Sequence, residues 1–352
     1  MRALLRAFAL PALSLAALFP VALQPAFAQE DAPRHNNPVG SDTEVSAPVA
    51  FVQDYEPDPA MWRLADDDTT LYFLGTFHVL PEGFRWRSPL IERVIGEADE
   101  IVFESRSEDE DSIDFAAIFG GSAEQILSRT PVSQQLSDEN VPKWRKLAEL
   151  MDLPYFVLDR MPPTLTMLFV GVTATEMQGS SGDYGVETIL ESEFEAAGKP
   201  ISAIEDPVAV MRNVLALDEA LAIETLETML SEWDGEALVH FEDGEAQADW
   251  DMEHNWARGQ LDLESFEDWM DDPFSQGLYQ ILLVDRNRAW ADWIIERLDR
   301  PGTVMIAVGA GHFEGPDAVQ EILAQRGFAV ERLNPSSPVV PVAEDSVSEM
   351  AE

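Results

Sequence analysis

Thr70-Leu-Tyr-Phe-Leu-Gly-Thr-Phe-His78 and, after one intervening segment, Glu100-Ile-Val-Phe-Glu104 decide how this chain folds. Leu71–Leu74 and Glu100–Phe103 are short apolar runs of the kind that form buried strands. Between them, Leu90, Ile91, Val94, Ile95 and Ala98 recur at helical spacing from Ser88 to Asp99, with Ser88 suited to cap the helix and Pro89 to its first position. Strand, helix and strand at this length predict a βαβ crossover with two parallel strands as close neighbours. Ahead of it, Trp62–Ala65 and Thr70–Leu74 flank Asp66-Asp-Asp68, which predicts a hairpin.

The unit recurs. Val186–Ala197 predicts a helix stopped by Gly198, followed by a short strand Ile201–Ile204 ending on Glu205. Near the other end, Thr303–Val308 predicts a strand that runs into Gly309-Ala-Gly-His312, then a helix Asp317–Arg326 and a last strand Phe328–Leu333. Between these lie helical patterns at Asp138–Met151, Thr164–Gln178, Pro207–Ser231, Ala246–Arg258 and Leu278–Leu298. The expected class is α/β: a mixed, partly parallel central sheet flanked by helices, with a helical insertion between the third unit and the C-terminal histidine.

Parallel strands share one carboxyl end, where ligands of open α/β sheets bind. His78, Glu104, Glu205 and His312 are all expected there. Two imidazoles and a carboxylate form the open three-ligand set of hydrolytic metal sites, so His78, Glu104 and His312 are the candidate metal ligands. A divalent ion (Mn, Co or Zn) is the expected cofactor. Glu205 and Glu187 compete as further ligand or as base for the water. Arg286 interrupts the apolar face Leu282, Arg286, Trp290, Trp293, with Asn287 beside it. It would hold a substrate carboxylate or steady an oxyanion, or form a structural ion pair with Glu104 or Glu205. Gly75, Gly309 and Gly311 are expected to permit positive φ and close backbone approach. His240 and His254 read as surface or core residues, and His35 carries no role.

Composition narrows the function further. The chain has 352 residues, no cysteine, and 22 Lys and Arg against 66 Asp and Glu. Nucleic acid is excluded as a partner, because its phosphates would be repelled, and any metal site must use nitrogen and oxygen donors. Arg2 and Arg6 precede the apolar run Phe8–Leu23, and Ala26-Phe-Ala28 is a cleavage pattern. Residues 1–28 therefore read as a signal peptide cleaved after Ala28, with the mature protein periplasmic or secreted and without a membrane span. Residues 29–54 read as a flexible leader, 55–333 as the folded domain and 334–352 as a disordered tail. No G-x-S-x-G elbow, P-loop or dinucleotide fingerprint is present.

Leu71–His78, Phe103-Glu104, Tyr184-Gly-Val-Glu187, Asp285-Arg-Asn287 and Val308-Gly-Ala-Gly-His312, taken in order, resemble the TraB/GumN family. That family includes the animal Tiki proteases and is distantly similar to the erythromycin esterase and ChaN-like proteins. The resemblance implies a mixed α/β fold, a site built on His78, His312 and Glu104, and, as in the Tiki branch, divalent-metal-dependent hydrolysis. Where this chain has Gly185-Val-Glu187 and Asp285-Arg-Asn287, the family often has Gly-x-Asp and Glu-Arg-Asn. The expected function is an exported metal-dependent hydrolase acting on a peptide or ester bond, its peptide or small-molecule substrate and its oligomeric state left open. The alternatives are a non-catalytic periplasmic haem, metal or small-molecule binding protein, and an inert scaffold for a partner.

Overall fold

The structure, a computed structural model, describes residues 52–106, 129–238, 241–242, 245–246, 250–260, 270 and 272–334. The expected signal peptide, most of the leader, the tail beyond Asn334, His35 and His240 lie outside the described residues.

In chain order the elements are β1 (Met61–Ala65), β2 (Thr69–Thr76), β3 (Leu80–Pro81), α1 (Pro89–Glu97), β4 (Glu100–Phe103), α2 (Val141–Leu150), α3 (Tyr155–Leu158) and α4 (Pro163–Met177). β5 (Ser180–Ser181), α5 (Val186–Ala197), β6 (Ile201–Ala203), α6 (Pro207–Leu215), α7 (Glu219–Glu232), β7 (Phe241–Glu242), β8 (Glu245–Ala246) and α8 (Asp251–Ala257) follow. The chain closes with α9 (Pro273–Tyr279), a π-helical turn (Gln280–Val284), α10 (Asp285–Arg297), β9 (Gly302–Gly309), α11 (Val319–Gln325) and β10 (Glu331–Arg332).

The six-stranded sheet runs β10-β1-β2-β9-β4-β6. β2, β9, β4 and β6 are mutually parallel, while β1 is antiparallel to both β2 and β10. The β1–β2 hairpin turns on Asp66, whose side chain accepts from the Asp68 and Thr69 amides. Ser88 caps α1 by accepting from the Ile91 N–H, and Gly198 ends α5 with φ 66°. One expectation needs correction: β2 and β4 are parallel but not adjacent, because β9 lies between them. A strand whose Thr303–Gly309 are all buried needs a partner on each side.

Side chains alternate across the parallel strands. Tyr72, Leu74, Ile101, Phe103, Met305 and Ala307 face α1 and α5, through Leu90, Ile91, Val94, Leu190 and Phe194. Leu71, Phe73, Val102, Val304, Ile306 and Val308 face α10 and α11, through Trp290, Ile294, Val319 and Leu323. This helix–sheet–helix layering buries both faces of the sheet.

The helical part differs from the expected single insertion. Residues 132–170, between β4 and β6, and 210–238 and 274–284, after β6, pack into one core around Trp144, Leu165, Met211, Leu226, Phe274 and Leu278. The predicted Pro207–Ser231 helix is two, since Asp218 caps α7 by accepting from the Ala220 N–H. Leu278–Leu298 does run as one rod, but through a π-helical turn. Gln53, inside the expected leader, is tied to Arg85 through backbone and side chain. Among the described residues no helix is long and apolar enough to cross a membrane.

Candidate active site

The parallel register brings the strand ends level. Thr76 pairs with Gly309, and Phe103 pairs with Ala307 and with Ala203. His78, Glu104, Glu205 and His312 therefore meet along one sheet edge, as the strand pattern predicts. His78, Glu104 and His312 are 7%, 4% and 1% exposed, so they interact with one another out of bulk water.

Glu104 is the centre. Its Oε1 accepts from the Gly309 N–H at 2.5 Å and its Oε2 from Arg286 Nη2 at 2.6 Å. The same Oε1 lies 3.6 Å from His312 Nε2 and 3.9 Å from His78 Nε2. Both Nε2 atoms are buried without a hydrogen-bond partner.

The two rings are held by different groups. Asn287 Nδ2 donates to the Asp317 carbonyl at 2.8 Å and to the His312 carbonyl at 3.3 Å. That leaves Asn287 Oδ1, 2.6 Å from His312 Nδ1, as an acceptor. His312 Nδ1 must then carry the proton, and Nε2 presents a lone pair. Trp290 covers this ring at a centroid distance of 4.0 Å. Burial first, then the Arg286 and His78 charges, hold His312 well below the ordinary histidine range, which keeps it neutral. His78 differs: its Nδ1 lies 2.9 Å from Glu187 Oε1, a charge contact off hydrogen-bond alignment. Burial, the largest influence, opposes charge on His78. Glu187 and Glu104 outweigh it and raise the pKa. Glu187 is shifted down, because His78 and Thr76 together outweigh its burial.

Arg286 is fully engaged. Its Nε donates to Glu205 at 2.8 Å, Nη1 to the Leu282 carbonyl at 2.8 Å and Nη2 to Glu104 and Glu205. The structural ion pair that the sequence allowed is thus formed with both carboxylates. Glu205 Oε2 accepts from Trp290 Nε1 at 3.0 Å. Burial raises the Glu205 pKa, partly offset by Arg286.

None of Gly75, Gly309 and Gly311 has positive φ, contrary to expectation. Gly75 serves close approach instead, since a Cβ there would lie 3.0 Å from Ala310 Cα. The tighter glycine is Gly185, where a Cβ would lie 2.0 Å from the His78 carbonyl oxygen. Gly185 and Thr76 stand inside the quoted motifs and Trp290 on the apolar stripe of its helix, but the sequence assigned none of them a role at the site. His254 lies apart from the cluster, with Nδ1 2.7 Å from the Tyr55 hydroxyl.

The cluster has donor types that divalent cations accept and is buried, but its geometry is not that of a closed metal site. Three carboxylates (Glu104, Glu187, Glu205) face one guanidinium, an excess of two negative charges if both imidazoles are neutral. The donors approach one another pairwise, and no group of three or more His, Asp or Glu among the described residues is closed around one point.

The uncharacterized protein YbaP of Escherichia coli (strain K12) is 23% identical over 193 residues, 54% of this chain and 67% of that protein. Its Shigella flexneri counterpart matches to the same extent. No solved structure matches the chain. The TraB/PrgY/gumN family matches residues 60–332, which takes in every strand of the central sheet and all of the cluster just described, and the chain belongs to that family.

Proposed function

We propose that this protein is an exported, metal-dependent hydrolase that cleaves a peptide or ester bond. One observation carries the reading. The Asn287 amide turns the His312 lone pair toward Glu104 Oε1 across 3.6 Å, with no proton of the imidazole between them. Two such acceptors facing each other in a buried site need a cation or another donor between them, and a metal ion serves both at once. The His78 Nε2, 3.9 Å from the same oxygen, supplies a third donor. With both imidazoles neutral the excess of two negative charges favours a divalent ion, and a nitrogen and oxygen donor set suits Mn, Co or Zn.

His78, Glu104 and His312 would hold the ion. When bound, it would polarise a carbonyl and lower the pKa of water. Glu104 keeps its orientation because the Gly309 amide and Arg286 each hold one oxygen. Arg286 steadies Glu104 and Glu205 and offsets part of their charge, which leaves Glu205 at the sheet edge as the carboxylate to accept a proton from attacking water. Export is supported by Arg2, Arg6, the Phe8–Leu23 run and Ala26-Phe-Ala28, which point to the periplasm or secretion.

The second reading is a non-catalytic binding protein for haem, a metal or a small molecule, which would use the two buried, unpartnered histidine Nε2 atoms without an activated water. One experiment separates the two. Wild type and His78→Ala/His312→Ala are dialysed, reloaded separately with Mn²⁺, Co²⁺ or Zn²⁺, assayed for metal by mass spectrometry, and screened with peptides and esters. The hydrolase reading expects one ion per chain and turnover, both lost in the double variant. An ion or organic ligand taken up without turnover supports the binding protein. Absence of any bound ion in the wild type rejects the metal site.

A further inference from the structure

The turn that opens α5 grips the first histidine segment from behind. β5 reaches it by pairing with β3, Ser181 opposite Leu80. The Val186 N–H then donates to the Phe77 carbonyl at 3.0 Å. Gly185 passes so close to the His78 carbonyl that only a residue without Cβ fits. Glu187, in the first turn of α5, accepts a hydrogen bond from Thr76 Oγ1, and that same oxygen meets His78 Nδ1 at 2.9 Å. Thr76 is 2% exposed. Strand packing there would be served equally by valine, so its hydroxyl is explained by the carboxylate it binds. The two nitrogens of an imidazole lie on different sides of the ring. A carboxylate on Nδ1 is thus behind His78, while Nε2 faces Glu104 and His312.

We infer that Thr76 and Glu187 are a positioning pair, in which the Thr76 hydroxyl fixes the Glu187 carboxylate and the carboxylate charge, 2.9 Å from Nδ1, selects the His78 tautomer with its proton on that nitrogen and so orients the ring. Glu187 is then neither ligand nor base but the partner that aims His78 Nε2 at the cluster. The Asn287 amide does the same for His312 with a neutral group, so the two histidines are oriented by different chemistry. Carboxylate partners of this kind orient histidine ligands and raise their basicity. The consequence for ion affinity rests on the metal reading above; the orientation of the ring does not.

The test uses the full chain, ¹⁵N-labelled, with chelator and no added metal. Long-range ¹H–¹⁵N spectra of the histidine rings are recorded at one fixed pH for wild type, Glu187→Gln, Thr76→Val and Thr76→Ser. Thr76→Val and Glu187→Gln should move the His78 nitrogen pair and leave that of His312 in place, and Thr76→Ser should restore it. Unchanged His78 signals in both variants, or failure of the serine to restore them, would overturn the pairing. Should Glu187→Gln fail to fold, the near-isosteric Thr76→Val still decides. Calorimetric titration with Mn²⁺, Co²⁺ or Zn²⁺ alone is the second arm, with affinity expected to fall about tenfold to a hundredfold in Glu187→Gln. A wild type that binds no ion while the His78 signals still respond to Thr76→Val would reject the metal site and keep the positioning pair.

Discussion

Arg286 and Asn287 are consecutive residues with opposite duties, and the difference can be measured. Arg286 is 7% exposed and neutralises Glu104 and Glu205 together. Arg286→Met keeps much of the volume and leaves two buried carboxylates unpaired, which should cost about 3–5 kcal/mol in urea unfolding. A loss under about 1 kcal/mol would mean that the carboxylates are protonated or hydrated in the folded state. Asn287 is 1% exposed and holds no charge, but it serves His312 Nδ1 and two carbonyls. Asn287→Ala should cost about 1–3 kcal/mol through the unpaired groups it leaves. It should also free the His312 ring, seen as a changed tautomer ratio in its ¹⁵N signals; an unchanged ratio would place the control of that ring elsewhere. Much of this was legible beforehand, because a strand followed by glycine, two residues and histidine puts a ring at the sheet edge wherever the sheet is parallel. The partners behind the rings were not legible. The Thr76–Glu187, Glu187–His78 and Trp290–His312 contacts span 111, 109 and 22 positions of chain, and no local period encodes them.

At the level of elements, the sequence was strongest where a signal is local. Ser88-Pro89 at the start of α1, Asp66 in the hairpin and Gly198 after α5 each name their own structure. Gly198 allows a clean test, because a Cβ there meets nothing within 4 Å while φ is 66°. Gly198→Ala should therefore cost only the left-handed conformation, about 1–2 kcal/mol. A larger loss would reveal packing that the open space at this position excludes. Strand order was illegible by the same logic. Nothing in Leu71–Leu74 or Glu100–Phe103 announces that β9, from more than two hundred residues later, separates them. The π-helical turn Gln280–Val284 was equally hidden, since its residues keep an apolar pattern compatible with α-helix. It immediately precedes Arg286 and Asn287 and contains the Leu282 carbonyl that accepts from Arg286 Nη1. Such turns recur at functional sites because they re-aim the residues that follow.

The whole molecule is dominated by its charge, a formal net of −44 from 66 acidic and 22 basic residues. Even if every Lys and Arg were paired, most acids would lack a basic partner. The surface pairs that exist, such as Arg87 with Glu92 and Glu193, Arg106 with Glu191 and Glu195, and Arg326 with Asp292, are part-exposed. Pairs of this kind contribute about 0–1 kcal/mol each and are themselves screened by salt. Repulsion among the unpaired acids acts over a Debye length of about 30 Å at ~0.01 M salt and about 3 Å at ~1 M. Added salt therefore removes more repulsion than attraction, and the folded chain gains more than the expanded one. The urea midpoint should rise with sodium chloride across this range, with chelator present so that no ion at the His78–Glu104–His312 cluster contributes. Urea is the denaturant of choice because guanidinium is itself a salt. A midpoint that stays level or falls would show that the acids are spaced, or partly protonated, so that the net charge carries no folding penalty. On the metal-dependent reading, the same field that strains the fold would draw divalent cations toward the Glu104, Glu187 and Glu205 cluster. Salt should accordingly weaken ion capture while it strengthens the fold, and a chain in which both moved in the same direction would contradict this account.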